Sequence, residues 1–486
     1  MKQAILIMAH KDIEHLERLI RYFEGKCDIF IHLDKHSSDK KDEYALAKQP
    51  GVKKVLRQIS VHWASHSILR CQLLLIEEAL KNSDCRYIHL LSGQDYPLKP
   101  LEDFLRFFDV ENKEFIEGAH LPAPHWDGNT YKRIQYYFFT DWFRFTNDKE
   151  IKNTWNFADK QDKWGIRRRI PDQVKHLYGG SAWFSLTRTC SAKVIEYSRK
   201  HPSLLRRFRF TFAPDEIYIH TVARHIEFAN KQFGNGNLRY IQWAKAGDNH
   251  PVDFTEKYFH ELSSSGAFFA RKFVTPNSDK ILMMIDKYLL FKEKITSRDS
   301  GAWCTQTFTG HFFDSGLAYA LGKLCKICDI RDAIDFGCGT GWYVNSLRKE
   351  KIAAVGYDGN PNTPELSSLL SELSDYPCEH ADLTEILTVE KPYSMTMCLS
   401  VGEYIPQKYE EQIWQNLINS TNNYLIISWG TPDICEELVV NPHTENYIKE
   451  KGLSYGLEID KLATFMLRKH CCILRHKKAI IVFKKN

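Results

Sequence analysis

Short apolar runs alternate with stretches of helical period along the first hundred residues, and this alternation leaves few architectures open. Ala4–Met8 is apolar and is followed by His10, Lys11 and Asp12. Ile13, Leu16, Leu19, Ile20 and Phe23 then mark one face of a helix. Asp28–Leu33 is a second apolar run ending at Asp34, and Val52–Val55 reads as a third strand. Ser67–Leu80 has a helical pattern, and Tyr87–Leu91 is a fourth strand leading into Ser92-Gly-Gln-Asp95. Strand, helix and strand in turn call for a mostly parallel sheet with helices on its faces. Ligands of such sheets sit beyond the carboxyl ends of the strands, which gathers His10, Asp34 and Asp95 at one end.

Length bounds the rest. A chain of 486 residues suits two large domains or three ordinary ones. A net charge of +5 is small for that length, and no aromatic–basic repeat points to nucleic acid. The first ten residues carry too short an apolar run for a signal peptide, and no other stretch would span a bilayer, so a cytoplasmic protein is expected. Its 13 cysteines are then expected to be reduced thiols, including Cys325, Cys328 and the adjacent Cys471 and Cys472. Residues 120–176 scatter Pro122, Pro124, Trp126, Trp142, Trp155 and Trp164 among charges, and read either as a ligand-binding insertion with aromatic faces or as a lid.

Phe212-Ala-Pro-Asp-Glu-Ile-Tyr-Ile-His-Thr221 places Asp215 and Glu216 ahead of an apolar helical run. Pro and acids at a helix start are ordinary capping signals, so an acidic first turn is one reading. A general base held at the mouth of a cleft is the other.

In the second half, Ala333-Ile-Asp-Phe-Gly-Cys-Gly-Thr-Gly341 is a short strand running into three spaced glycines. The glycines allow a tight turn and close approach of a ligand to the backbone. Ala353–Asp358 is a second strand ending in an acid able to accept both ribose hydroxyls of a nucleoside. The spacing Gly-x-Gly-x-Gly differs from the dinucleotide pattern, which makes NAD the weaker alternative.

Five phrases occur in order: Val61–Ser67, Leu90–Pro100, Tyr178–Leu186, Pro214–Glu216 and Phe268–Phe273. Together they resemble the core-2/I-branching glycosyltransferases, a family that includes β-1,6-N-acetylglucosaminyltransferases and peptide O-xylosyltransferases. The resemblance implies a GT-A-type nucleotide-sugar domain that inverts the anomeric centre. It implies a uridine contact at Asp34, a donor pocket lined by His10, Ser67 and Asp95, and a basic pair, Arg271 and Lys272, near the diphosphate. Glu216 takes the place of the catalytic base, and Trp183 flanks the acceptor. No Asp-x-Asp occurs in residues 1–290, so the transfer is expected to need no metal. Without the resemblance, Arg271 and Lys272 would read as a solvated surface pair.

Residues 310–486 resemble class I S-adenosylmethionine-dependent methyltransferases, with a Rossmann-like fold. On that resemblance Asp335, Gly337, Gly339 and Gly341 hold the methionine end of the cofactor, Asp358 the ribose and Asp382 the adenine. Catalytic residues vary in this class, with Glu403 and His443 as candidates here, and Leu438–Pro442 is expected to border the acceptor. The expected domains are residues 1–295 and 311–486, joined by a linker over 296–310. The whole reads as an α/β bifunctional enzyme of glycan assembly. It would move GlcNAc from UDP-GlcNAc, or xylose from UDP-xylose, to a glycan or lipid-linked saccharide, and a methyl group from S-adenosylmethionine. Any membrane association would run through the acceptor. The competing reading makes one domain an inactive scaffold.

Overall fold

A computed structural model describes residues 2–123, 130–143, 145, 147–169, 176–227, 233–244, 250–308, 310–311, 313–433 and 438–485. Pro124 and Trp126 lie outside the described residues. The chain divides into one unit of Met1–Thr255 with Gly266–Ile281 and a second of Glu256–Ser265 with Leu282–Asn486.

In the first unit, β1 (Lys2–Ala9) lies between β2 (Asp28–Leu33) and β4 (Cys85–Ser92) and is parallel to both. Strand β3 (Val52–Leu56) follows β2 at one edge. On the other side β7 (Phe184–Thr187) runs antiparallel to β4 and pairs with β6 (Phe115–Ile116), giving the order β3-β2-β1-β4-β7-β6. Ala4 to Ile7 are wholly buried because both faces of β1 are covered. Successive side chains still point to opposite faces. Leu6, Phe30, Ile88 and Leu90 join one core with Leu69 and Ile76 of α2 (His66–Asn82). Ile5, Ile7, Ile29 and Ile31 join the other with Leu16 and Leu19 of α1 (Ile13–Tyr22) and Phe104 and Phe108 of α3 (Leu101–Val110). A small sheet pairs β8 (Arg239–Ile241), β9 (Phe269–Arg271) and β5 (Asp95–Pro97) in the order β8-β9-β5.

The second unit is Rossmann-like. The strands of its main sheet are β10 (Asp332–Phe336), β11 (Ala353–Asp358), β12 (Glu379–His380), β13 (Tyr393–Leu399), β14 (Thr421–Ser428), β15 (Glu458–Ile459) and β16 (Ile481–Lys484). They are ordered β12-β11-β10-β13-β14-β16-β15, with β16 antiparallel to both neighbours. The strand order turns at β10, the switch point where doubly wound sheets take ligands.

Helix α7 (Ser315–Ile327) opens at Asp314, which caps it by accepting from the Leu317 amide at 3.0 Å. Leu474–Ala479 ahead of β16 is helical, since Arg475, His476, Lys477 and Lys478 offer no alternation. A regular helix over Asp279–Ile285 widens into a π turn over Asp286–Leu290. No helix among the described residues is long and apolar enough to cross a membrane.

Candidate active sites

Parallel pairing of β1 and β2 sets Ala9 beside Leu33, so His10 and Asp34 leave the sheet at the same end. Asp34 is buried, and its carboxylate is held on both sides. One oxygen accepts from the Val61 amide at 2.8 Å, the other from the Ser37 hydroxyl at 2.7 Å. His10 feels Asp34, Arg271 and Lys272 at once. Partial loss of water, then the Lys11 charge, lowers its pKa, while Asp34 works the other way.

Asp95 and Arg271 face each other in the β5–β9 ladder. Asp95 is wholly buried, accepts from the Ser92 amide at 3.0 Å and meets an Arg271 Nη at 3.3 Å. Burial raises the Asp95 pKa and Arg271 pulls it back. The Arg271 guanidinium lies 4.4 Å from the centre of the Trp183 ring. Next along the chain, Lys272 Nζ sits 3.2 Å from Asp253. Neither basic residue is a plain surface group: each side chain is 19% exposed.

The acidic pair does not occupy the first turn of α6 (Tyr218–Glu227). Pro214–Glu216 forms a separate 3₁₀ turn, entered through Ala213 at φ 47°. Tertiary bonds hold it there: the Ala213 amide donates to Ala64 O at 2.9 Å, and the Gly180 amide to Glu216 O at 3.1 Å. Asp215 turns inward, with one carboxyl oxygen unpartnered. Burial, then the Glu216 charge, raises its pKa, against a downward pull from Arg133. Glu216 is 31% exposed and accepts from Arg133 Nη1 at 2.6 Å. Arg133, in the short helix Thr130–Gln135, escaped sequence reasoning, because a lone arginine in an uninformative segment carries no sign of a carboxylate 83 positions away.

The structure thus gathers His10, Asp34, Asp95, Arg271, Lys272 and Trp183. Ser67 is buried at the start of α2, and its hydroxyl accepts from the His62 amide at 2.8 Å, so it braces the 61–67 segment. That segment reaches Asp34 through Val61 and the Glu216 turn through Ala64.

In the second unit an open pocket of about 1090 Å³ forms where β10 and β11 end. Asp335, Gly337, Gly339, Asp358 and Asp382 all line it, with Trp303, His311, Tyr404 and Arg475. Gly337 stands at φ 78°, and a Cβ there would come within 2.2 Å of Val401. Gly341 does not line the pocket. At φ 84° it turns the chain into α8 (Trp342–Lys349), and a Cβ would press on Leu373 and Cys378. Asp358 accepts from the Gly339 amide at 2.7 Å and the Asn360 amide at 2.8 Å, bracing the glycine loop. Asp382 accepts from the Thr384 amide and hydroxyl.

Asp335 is buried with one oxygen unpartnered, and burial, reinforced by Asp358, pushes its pKa up to about 8. The fold therefore keeps a proton that the unfolded chain releases above 3.8. The stability this proton lends is complete below that value and is lost as pH rises toward about 8. Asp335→Asn is expected to flatten the fall of melting temperature across that window. An unchanged slope would mean that Asp335 is ionised in the fold.

Glu403 is wholly buried behind the pocket, ion-paired with Arg475. Burial raises its pKa and Arg475 lowers it. Its carbonyl accepts from the Val440 and Asn441 amides, which seats the 438–442 segment. His443 is not among the pocket's lining residues. It bonds Glu410 at 2.8 Å and stacks on Tyr447 at 3.8 Å, as part of a half-buried cluster.

The family description Core-2/I-Branching enzyme matches residues 4–265. The xylosyltransferase oxt of Drosophila pseudoobscura pseudoobscura is 24% identical over 264 residues, 50% of this chain and 28% of that protein. The human N-acetyllactosaminide beta-1,6-N-acetylglucosaminyl-transferase is 25% identical over 256 residues, 51% of this chain and 59% of that protein. The Caenorhabditis elegans xylosyltransferase sqv-6 is 27% identical over 194 residues, 38% and 21%. The chain matches less than two thirds of the length of each of these relatives. Among solved structures, a Synechocystis magnesium protoporphyrin IX methyltransferase with bound SAH aligns at 15% identity over 35% of this chain and 82% of that one, with a TM-score of 0.28. Likeness at that level adds nothing to what the second unit's own sheet shows.

Proposed function

Because this chain belongs to the Core-2/I-branching enzyme family, we propose that its first unit is an inverting, metal-independent glycosyltransferase that moves GlcNAc from UDP-GlcNAc to a saccharide hydroxyl. The observation that carries this reading is the buried Asp95–Arg271 pair beside Lys272, at the end of the sheet that also delivers His10 and Asp34. The departing diphosphate needs positive charge, and Arg271, steadied by Asp95 and Trp183, can offer it with Lys272. Glu216 accepts the proton of the attacking hydroxyl, held in direction by Arg133. Asp34 receives the uridine, and Trp183 flanks the acceptor, a glycan or lipid-linked saccharide. The names of the Drosophila and nematode relatives favour UDP-xylose as a second donor reading.

For the second unit we propose methyl transfer to the same class of glycan. S-adenosylmethionine would supply the methyl group. The pocket suits it: Asp335 offers an unpartnered buried oxygen, Gly337 leaves room no other residue would, and Asp358 ends β11 at the position from which an acid in doubly wound folds takes a ribose.

Donor hydrolysis measured against UDP-GlcNAc and UDP-xylose with EDTA present tests the first unit. Turnover of UDP-GlcNAc is expected; turnover of UDP-xylose alone would move the donor to the second reading, and restoration only by added metal would overturn the metal-free mechanism. S-adenosylhomocysteine is expected to raise the melting temperature. Stabilisation by NAD in its place would overturn the methyl-transfer reading.

A further inference from the structure

We infer that an aromatic, cation-rimmed face of the first unit docks on the surface of an anionic lipid bilayer. This goes beyond the proposed activity and rests on none of its residues. The face is built from the outward side chains of residues 137–143, with Phe138 and Thr140 turned inward, and from Phe157, Trp164, Ile166 and Phe210. Its rings form one connected series. Trp164 meets Phe157 at 6.3 Å, Phe157 meets Phe139 at 6.2 Å, and Phe139 stacks on Trp142 at 4.9 Å. Phe210 joins Phe139 at 5.4 Å and Tyr137 at 5.7 Å. Yet Trp142, Phe143 and Trp164 are 60–62% exposed and Ile166 44%. Scattered exposed apolar residues are normal, but a contiguous ring series open to water marks a contact surface.

Local structure explains how the face arises. Helix α4 (Asp148–Lys163) turns Ile151, Ala158 and Gln161 inward. Phe157, Lys160 and Trp164, spaced by three and four, come out on another side. The helix can therefore lie flat on a surface rather than cross it.

Charge selects the occupant. Arg209 lies over Phe210, 5.4 Å from its ring centre, and Lys163 precedes Trp164. Lys160, Lys163, Arg206 and Arg209 are exposed and have no ion-pair partner among the described residues. The nearby acids are engaged. Asp159 pairs with Lys132 at 2.8 Å, Asp162 takes Arg167 and the Tyr136 hydroxyl, and Asp141 accepts from the Ser67 amide. Asp148 and Glu150 sit at the far end of α4, about two turns from Phe157. Aromatic rings suit the boundary between acyl chains and headgroups, and unpaired lysine and arginine suit anionic headgroups. Phe210 precedes the Pro214–Glu216 turn by four positions, so a docked face would hold that turn near the bilayer.

The test is co-sedimentation of the full chain with vesicles of phosphatidylcholine alone and of phosphatidylcholine mixed with phosphatidylglycerol. Binding is expected to the mixed vesicles, to weaken with added salt, and to fall roughly 30-fold in the double variant Lys163→Ala/Arg209→Ala. Trp142→Ser/Trp164→Ser should also release the protein. Both pairs are surface changes, and an unchanged melting temperature would show that the fold is kept. No sedimentation with either vesicle would overturn the proposal, as would variants that bind like the unaltered chain. Equal binding to both vesicle types would overturn the anionic choice. A soluble oligosaccharide that binds the unaltered chain but not the tryptophan variant, without vesicle binding, would assign the face to sugars instead.

Discussion

Glu216→Gln is expected to lower sugar transfer by about a hundred- to ten-thousandfold while UDP binding stays as it is. Glutamine keeps the shape of the side chain and still offers an oxygen to Arg133, which sits 2.6 Å from the native carboxylate. What it loses is the ability to take a proton from the acceptor. A loss confined to turnover, with UDP affinity unchanged, identifies a base. A loss of both would mean that the Pro214–Glu216 turn had moved, since that turn is tied to Ala64 and Gly180 through the backbone. Transfer near the native rate would place the base elsewhere. Arg133→Met separates the positioning effect from the chemistry: it frees Glu216 to swing without removing it, so its cost should be smaller.

Arg271→Ala is expected to destabilise the protein by about 3–5 kcal/mol, the usual consequence of stranding one partner of a buried ion pair. Asp95 is wholly buried and would lose the cation that offsets its burial. The Trp183 ring would lose a guanidinium at 4.4 Å, a contact worth about 0.5–2 kcal/mol. The double variant Asp95→Asn/Arg271→Ala removes both charges and should recover much of the loss, because no unpaired charge remains. Urea unfolding of Arg271→Ala, Asp95→Asn and the double variant closes the cycle. If the double variant costs the sum of the singles, the two residues are not coupled. UDP binding should stay weak in every variant without Arg271, which separates its service to the fold from its service to the ligand.

Much of this was legible in the chain before folding. Ala4–Met8, Asp28–Leu33 and Tyr87–Leu91 read as strands and are strands, because burial on both faces leaves an unbroken apolar string. The residues that follow them are site candidates for the same local reason: a parallel strand can end only at one edge, so His10, Asp34 and Asp358 had few places to go. The glycines after β10 announced a tight turn, and Gly337 and Gly341 adopt conformations open to little else. The roles of Glu216, Arg271 and Lys272 came from resemblance. Composition and spacing left them as a capped helix and a surface pair.

Tertiary structure alone decided the partners. Arg133 reaches Glu216, Asp95 reaches Arg271, Asp253 reaches Lys272 and Arg475 reaches Glu403 across tens to hundreds of positions. It made the acidic pair a separate 3₁₀ turn, through bonds from Ala64 and Gly180 that no local preference foretells. It also brought Phe139, Trp142, Phe157, Trp164 and Phe210 into one connected series of rings. Local sequence determined which segments are strands and where each one stops, because backbone propensity and side-chain period act over a few residues. Which side chains meet depends on chain crossings, and those are settled only when the whole unit packs.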